Sequence, residues 1–259
     1  MAIQVDPEWW KTLFDEIYLL TDARSVCDEE LTRREVDLIC AVLPIRPEDR
    51  ILDLCGGHGR HSLELCTRGV GRCTLLDYSH VLIDHARTWA ARLGHDLLCV
   101  QADARYTGLS DAGFEHVLVM GNALGYLAEA TADRQILLEA YRLLRSGGWL
   151  LVDVLDGKVV RTAFKPSGWH EIGSEIVVCR EREIEGDRVR AREMVLSKKS
   201  GLIRDRSYSI KLYTAETITV LLESVGFEVV ALRTNFSAHQ RDADYGFMNH
   251  RLVAAGKKP

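Results

Sequence analysis

The residues Asp53-Leu54-Cys55-Gly56-Gly57-His58-Gly59 follow a short apolar run and open a segment of helical spacing. Small side chains permit a tight turn and let a ligand approach the backbone, while free N–H groups at a helix start favour an anionic group. This is chemistry suited to a nucleotide. Asp77 closes the next apolar run 20 positions after Gly57 (77 minus 57), where one carboxylate can accept both hydrogen bonds of a ribose diol. Its alternative role is to cap the helix that begins near Ser79. A dinucleotide fingerprint G-x-G-x-x-G is satisfied by Gly57 and Gly59 but meets Ser62 at its third glycine. Two further constellations have residue types suited to recognition. Trp10, Phe14 and Tyr18 recur every fourth position and share a helical face, either as a hydrophobic seam or as an aromatic wall. Arg180 and Arg182, then Arg188, Arg190 and Arg192, alternate along two strand-like runs among Glu181, Glu183, Glu185 and Glu193. That pattern predicts a solvated face of cross-strand charge pairs, with an anion-binding groove as the sharper alternative.

The elements that must position these residues are visible as changes of period. Between Arg50 and Val154, apolar runs at Ile51–Leu54, Cys73–Leu76, Leu97–Val100, His116–Met120 and Trp149–Val154 alternate with amphipathic segments. This is the pattern of an α/β fold with a parallel sheet built from βα units. Leu82, Ala86, Trp89, Ala90 and Leu93 keep helical spacing, as do Ile136, Leu137, Ala140, Leu143 and Leu144. Upstream, Val36, Ile39, Cys40 and Leu43 form a stripe ended by Pro44 and Pro47, so residues 1–47 are expected to be a helical cap and 48–156 the ligand-binding core. In 157–213, β-rich runs separated by Glu185-Gly186-Asp187 and Lys198-Lys199-Ser200-Gly201 predict consecutive antiparallel strands, an insertion on the sheet. Within 214–259, Thr214 is placed to cap a helix that carries Ile218, Leu221, Leu222 and Val225 and stops at Gly226. Phe227–Leu232 and Phe247–Ala255 then predict an antiparallel strand pair. No repeat or linker interrupts 1–259, so one domain is expected.

With 259 residues and 47% hydrophobic composition, the chain can bury a full core without metals or disulfide staples. A net charge of -5 disfavours a polyanionic partner such as nucleic acid. The seven cysteines, Cys27, Cys40, Cys55, Cys66, Cys73, Cys99 and Cys179, are scattered without a C-x-x-C pair or a nearby histidine at zinc spacing. They read as reduced thiols in a cytoplasmic protein with no metal site. No basic segment with a long apolar run marks the N-terminus, and no apolar stretch approaches the ~20 residues that span a bilayer, so neither a leader nor a membrane span is expected.

Ile51-Leu52-Asp53-Leu54-Cys55-Gly56-Gly57-His58-Gly59, followed by Leu76-Asp77, resembles the class I S-adenosylmethionine-dependent methyltransferases. Their first motif reads hh-D/E-h-G-x-G-x-G, and their second strand ends in an acidic residue. Cys55 stands at the first glycine position and, having a side chain, predicts a backbone that avoids the left-handed conformation there. The likeness covers residues 36–156 and 214–256, the latter because the last strand pair resembles the reversed seventh strand of the methyltransferase sheet. It implies a Rossmann-like, seven-stranded, mostly parallel sheet with an antiparallel last strand, preceded by the helical cap and interrupted by the β insertion. It implies S-adenosylmethionine as cofactor, with Asp53, Cys55, Gly56, Gly57 and Gly59 at the turn and Asp77 and Tyr78 at the ribose. Asp103 and Ala104 would lie near the adenine amino group and Asn122 near the methionine part. Arg33 or Arg34 would bind the methionine carboxylate, a salt bridge to Glu29 or Glu30 being the alternative.

Ligands of open α/β sheets lie at the carboxyl ends of the strands, so the acceptor is expected above Asn122 and Asp153–Asp156. Trp10, Phe14 and Tyr18 of the cap and Trp169 and Tyr213 of the insertion are the candidate substrate walls. Displacement from a sulfonium has a good leaving group, so positioning and desolvation carry most of the catalysis. A hydroxyl acceptor profits from a general base, for which His170, His239 and His250 are the candidates, whereas His58 and His61 are expected to support the cofactor loop. The expected activity is methyl transfer to nitrogen or oxygen of a small molecule by a monomer or homodimer. Absence of an Asn-Pro-Pro-Tyr tetrapeptide at Asn122-Ala123-Leu124-Gly125 argues against methylation of nucleic-acid bases. A NAD(P)-dependent oxidoreductase and a cofactor-binding subunit without turnover are the competing readings.

Overall fold

The computed structural model describes residues 2–21, 28–237 and 250–259. After a single 3-10 turn at Trp9–Lys11 come α1 (Glu16–Thr21), α2 (Glu29–Val42), β1 (Arg50–Leu54), α3 (Arg60–Thr67), β2 (Arg72–Asp77), α4 (His80–Leu93), β3 (Leu98–Gln101) and β4 (Phe114–Val119). They are followed by α5 (Ala132–Leu143), β5 (Leu144–Leu155), the short α6 (Gly157–Thr162), β6 (Ser167–Ile172), β7 (Ile176–Glu185), β8 (Arg188–Ser197) and β9 (Gly201–Lys211). The chain ends with α7 (Ala215–Val225), β10 (Glu228–Phe236) and β11 (Arg251–Lys257). Of the expected helical cap, α2 is the continuous part. The aromatic segment before it is broken into the 3-10 turn and a six-residue helix.

Seven strands form the main sheet in the order β10-β11-β5-β4-β1-β2-β3. β3, β2, β1, β4 and β5 pair in parallel, and β11 runs antiparallel to both β5 and β10. The sheet is therefore Rossmann-like with a reversed last strand, as the resemblance implied. Because strand side chains alternate, Ile51 and Leu118 pack with Val36, Ile39 and Leu43 of α2 on one face, while Leu52, Leu54 and Val117 pack with Ile136, Leu137 and Ala140 of α5 on the other. Burial on both faces accounts for the continuous apolar runs read from sequence. The helix ends follow local chemistry. Ser79 caps α4 by accepting from Leu82 N (3.2 Å), and Thr214 with Thr217 forms a reciprocal capping box on α7. β1 pairs with β2 on one side and β4 on the other, so the crevice where the strand order reverses lies above its carboxyl end. No helix among the described residues is long and apolar enough to cross a membrane.

The insertion is a separate antiparallel sheet, β6-β7-β8-β9, with Gly186-Asp187 as the two-residue turn joining β7 to β8. Its charges divide between two faces. On one, Arg190 pairs with Glu185 and Arg192 with Asp205 (2.6 Å), which is the expected solvated pattern. Arg180 and Arg182 depart from it: they are buried on the other face beside Val178, Ala191 and Val195. Register places Arg180 opposite Glu193, to which it donates (2.7 Å), and Glu193 also receives Arg204 (3.4 Å). Arg204 continues to the Leu13 carbonyl (2.9 Å) and to the Asp15 carboxylate. The N-terminal segment thus covers this face and removes it from solvent. β9 closes onto the core where Lys211 N donates to the Gly125 carbonyl (2.9 Å). A Cβ at Gly125 would meet Lys211 Cβ at 2.9 Å, so glycine is what allows the two backbones to touch.

Candidate active site

The turn after β1 holds three residues at positive φ: Cys55 (60°), Gly57 (60°) and Gly59 (80°). The expectation for Cys55 is therefore corrected. It adopts the left-handed conformation despite its side chain, at a cost of about 1–2 kcal/mol. The surroundings enforce it: the next amide, Gly56 N, donates to the Leu76 carbonyl (3.1 Å), and Gly57 N donates to Asp77 Oδ2 (2.8 Å). Burial, followed by the carboxylates of Asp77, Asp103 and Asp53, pushes the Cys55 thiol well above its usual range and keeps it neutral. Gly56 has no substitute, since a Cβ there would stand 2.4 Å from Leu75 Cδ1 and 2.5 Å from Asp53 Cγ. Asp53 lies fully buried beneath the turn, where Ser62 Oγ donates to its Oδ2 (2.9 Å) and Oδ1 has no partner among the described residues. The Ser62 that breaks the dinucleotide fingerprint thus holds the turn's acidic residue in place.

Above this turn opens a cleft of about 980 Å³ of empty space, open solvent at its mouth included. Cys55, Gly56, Gly57, Asp77, Tyr78, Asp103 and Ala104 all line it, as do Trp10, Phe14 and Tyr18. Asp77 takes the role at the helix start and borders the cleft. Its Oδ1 accepts from Ser79 N (2.9 Å) at the start of α4 and its Oδ2 from Gly57 N, while the carboxylate faces the cleft. Burial raises the Asp77 carboxyl to about 6, against the backbone N–H groups of Ser79 and Gly57 that favour its charged form. For Asp103, burial acts in the same direction, but the hydrogen bonds of Arg105 outweigh it and hold the carboxyl below its usual value. Arg105 Nη2 reaches Asp103 Oδ2 at 2.7 Å, and the guanidinium sits over the Trp10 ring at 5.6 Å. Trp10 meets Tyr78 edge to face (4.7 Å). This end of the cleft is therefore closed by an aromatic and cationic latch.

A buried charge cluster also reaches the cleft, and of its members the sequence reading singles out His61 and Asp153 but not Glu35, Arg60 or Arg251. Arg60 and His61, the first residues of α3, line the cleft while being only 4% and 3% exposed. Both meet Glu35 of α2: Arg60 through Nη1, and His61 through Nε2 at 3.0 Å. Glu35 also receives Arg251 of β11, whose Nη1 donates to Asp153 of β5 (2.7 Å). Asp153 accepts in turn from Gly121 N (3.2 Å) at the cleft wall. Burial alone would raise Glu35; Arg251, Arg60 and His61 overcome it and hold the carboxyl well below its usual range. The available signal was Glu35 itself, a charge four residues from Leu31 and from Ile39 on the buried stripe of α2.

Other candidates are placed elsewhere. Arg33 lies on the outside of α2 with its guanidinium on Glu29 (2.8 Å), and Arg34 on Glu30, which is the salt-bridge alternative for both. Asn122, at φ 62°, is buried and uses Oδ1 to accept from Leu155 N (2.8 Å), fixing the loop whose neighbours Gly121 and Ala123 line the cleft. Tyr213 is buried and donates to Asp133, which accepts from Gly125 N (2.9 Å); it supports the loop from behind. Trp169 is 67% exposed on edge strand β6, and neither it, His170 nor His250 is part of the cleft wall. His239 lies outside the described residues. Sequence reading also passes over Tyr126, which lines the cleft, stacks on Phe14 (5.6 Å) and meets Trp9 edge to face (5.2 Å).

Residues 51–148 match the family model described as a methyltransferase domain. Glycine/sarcosine N-methyltransferase of Halorhodospira halochloris is 26% identical over 224 residues, 84% of this chain and 80% of that protein. The 27-O-demethylrifamycin SV methyltransferase of Amycolatopsis mediterranei (strain S699) is 30% identical over 131 residues, 50% of this chain and 47% of that one. Among solved structures, the CcbJ methyltransferase of Streptomyces caelestis superposes with a TM-score of 0.76 at 18% identity, covering 96% of this chain and 98% of that chain, a likeness of fold. Sheet topology, the turn and the match over residues 51–148 together support a class I S-adenosylmethionine-dependent methyltransferase. The oxidoreductase reading, already short of its third glycine, has no support beside them.

Proposed function

We propose that the enzyme methylates nitrogen or oxygen of a small-molecule acceptor by in-line displacement, with nitrogen favoured. The observation that carries this is the composition of the cleft. Trp10, Phe14, Tyr18 and Tyr126 line it together with the glycine turn; His170 and His250 are not in its wall, and of the two histidines that are, His61 is engaged by Glu35 (3.0 Å) and His58 stacks with Trp89 (6.0 Å). The residues fit the cofactor: Gly56 leaves backbone room that a Cβ would fill, Asp77 presents a half-buried carboxylate for a diol, and Asp53 Oδ1 keeps unused acceptor capacity beneath the turn. When bound, S-adenosylmethionine supplies a methyl group on a sulfonium that leaves as a neutral thioether. Cys55 through Gly59 and Asp77 would hold its nucleoside end, with Asp103 and Ala104 near the base.

The aromatic residues exclude water and offer ring faces that attract a cationic centre, which suits both a sulfonium and an amine that becomes charged as it is methylated. An amine entering in its neutral form releases a proton to solvent afterwards and needs no base in the wall. The relative aligned over most of this chain is itself an N-methyltransferase, whereas the rifamycin relative, whose printed name marks an oxygen acceptor, aligns over half. Within this reading, residues 48–156 bind the cofactor, 1–47 and 157–213 enclose the acceptor, and 214–259 complete the sheet, the whole acting as one domain. Nucleic acid is not the substrate, in keeping with the net charge of -5. The test is transfer of labelled methyl from S-adenosylmethionine to a panel of small primary and secondary amines, phenols and alcohols. Turnover is expected with amines first. Turnover confined to alcohols would overturn the nitrogen preference, and none with any class, in a protein that binds the cofactor, would favour the subunit without turnover.

A further inference from the structure

β6 (Ser167–Ile172) is an outer strand of the insertion, and among the described residues only β7 pairs with it. The Pro166 carbonyl accepts from Arg182 N (2.7 Å), so by antiparallel alternation Gly168, His170 and Ile172 exchange hydrogen bonds with β7. Ser167, Trp169 and Glu171 therefore turn their N–H and C=O groups away from the sheet. Their side chains share one face, where Trp169 is 67% exposed. The other sheet edges are protected in ways that β6 is not. β9 packs against the Trp9–Lys11 turn, with Tyr208 5.7 Å from Trp9, β3 is four residues long, and β10 pairs with two irregularities in its register. β6 pairs with β7 without a shift, and neither lysine nor proline stands within it.

A strand of this kind can meet its own copy, because antiparallel pairing about a two-fold axis is self-complementary. With residue 169 on the axis, Trp169 faces its own counterpart and Ser167 faces the second copy's Glu171, so all three outward residues find partners. An axis at Gly168 or His170 leaves one of them opposite a residue outside the strand, and an axis at Glu171 sets like charges face to face. With Trp169 central, the two Glu171 stand about 14 Å apart along the strands, each held by its own Lys198 (2.8 Å). We propose that β6 is the contact through which two copies of this chain associate, pairing antiparallel about Trp169 and joining the two four-stranded insertions into one continuous sheet. The two indoles then lie side by side across the axis and leave water together, a central aromatic anchor of the kind that dominates interface energetics. None of these residues lines the cleft, so association and cofactor binding are separable.

Sedimentation velocity of the unmodified chain across a concentration series should show a dimer. Trp169→Glu should raise the dimer dissociation constant about 30-fold or more and leave S-adenosylhomocysteine affinity within about twofold. Monomer throughout in the unmodified chain, which would leave β6 to an extended segment of another protein, overturns the proposal. So does a dimer unaltered in a folded Trp169→Glu protein. A second test keeps Trp169 in place. Ser167→Cys and Glu171→Cys proteins mixed in equal amounts should form a disulfide-linked dimer under mild oxidation, beyond what either gives alone, because residues directly opposite in such a pair have Cα atoms about 5.5 Å apart. In either protein alone the two introduced thiols are about 14 Å apart along the strands. Linking no greater in the mixture than in the separate proteins overturns the register and the proposal with it.

Discussion

At the Asp77 end of the cleft the hydrogen bonds to Asp77 and Asp103 span 20 residues or fewer, whereas the charge cluster at Arg60 joins residues that meet only when the sheet is complete. At the first, Gly57, Asp77 and Ser79 are joined by backbone N–H groups donating to one carboxylate, and Asp103 by Arg105 two residues on. At the second, Glu35, Arg60, Asp153 and Arg251 come from four elements, with 216 residues separating Arg251 from Glu35. One end depends on a few backbone conformations; the other depends on every partner being present, because each removal leaves a charge buried without its counterion.

That contrast can be broken at either end, and the largest effect is expected from the network. Arg251→Met leaves Glu35 and Asp153 buried without their shared guanidinium and should destabilise the fold by about 3–5 kcal/mol, read as a lowered urea midpoint. Adding Glu35→Gln should return part of that loss in a double-mutant cycle; strict additivity would show that the two residues do not act together.

Asp77→Asn comes next. It should weaken S-adenosylhomocysteine by about 10- to 100-fold, the worth of hydrogen bonds to a charged acceptor. Since Asp77 is raised to about 6 by burial, and the carboxylate is the form that accepts, the affinity of the unmodified protein should fall about tenfold per pH unit below about 6. Asp77→Asn should show no such slope. Stability of the ligand-free protein carries the other sign: the folded state holds this proton more tightly than the unfolded one, so the contribution is full below about 4 and lost as pH rises through about 6.

Cys55→Gly is the smallest change. It removes the left-handed strain at φ 60° and should raise stability by about 0.5–1 kcal/mol, with cofactor affinity within about twofold. A destabilised Cys55→Gly protein would mean that packing of the thiol outweighs the backbone.

The same contrast explains what could be read from the chain beforehand. Ile51–Leu54, Leu82–Leu93 and Thr214–Gly226 announce themselves by period, cap and stop signals, which are local, and β1, α4 and α7 lie where those signals put them. Asp77 and the glycine turn were legible for the same reason. Arg60 and Glu35 were not, because alternation and helical spacing record which face a residue occupies and not which distant charge it meets there. Arg180 and Arg182 illustrate the limit: alternation grouped them on one face, but only the packing of the Trp9–Asp15 segment makes that face an interior. Cys55 escapes a local reading because local sterics disfavour a positive φ while neighbouring hydrogen bonds impose it. Trp169 and Tyr213 were assigned to the acceptor by segment, whereas β6 carries the first to an exposed edge and the second packs behind the loop at Gly125.

We place S-adenosylmethionine in the cleft above Gly56 and Asp77, and every other assignment depends on that placement. Titration of the purified protein with S-adenosylhomocysteine and, separately, with NAD addresses it most directly. One S-adenosylhomocysteine site per chain is expected, abolished or severely weakened in a folded Asp77→Ala protein, with no NAD binding. S-adenosylhomocysteine affinity unchanged by Asp77→Ala, or NAD bound in its place, would contradict it.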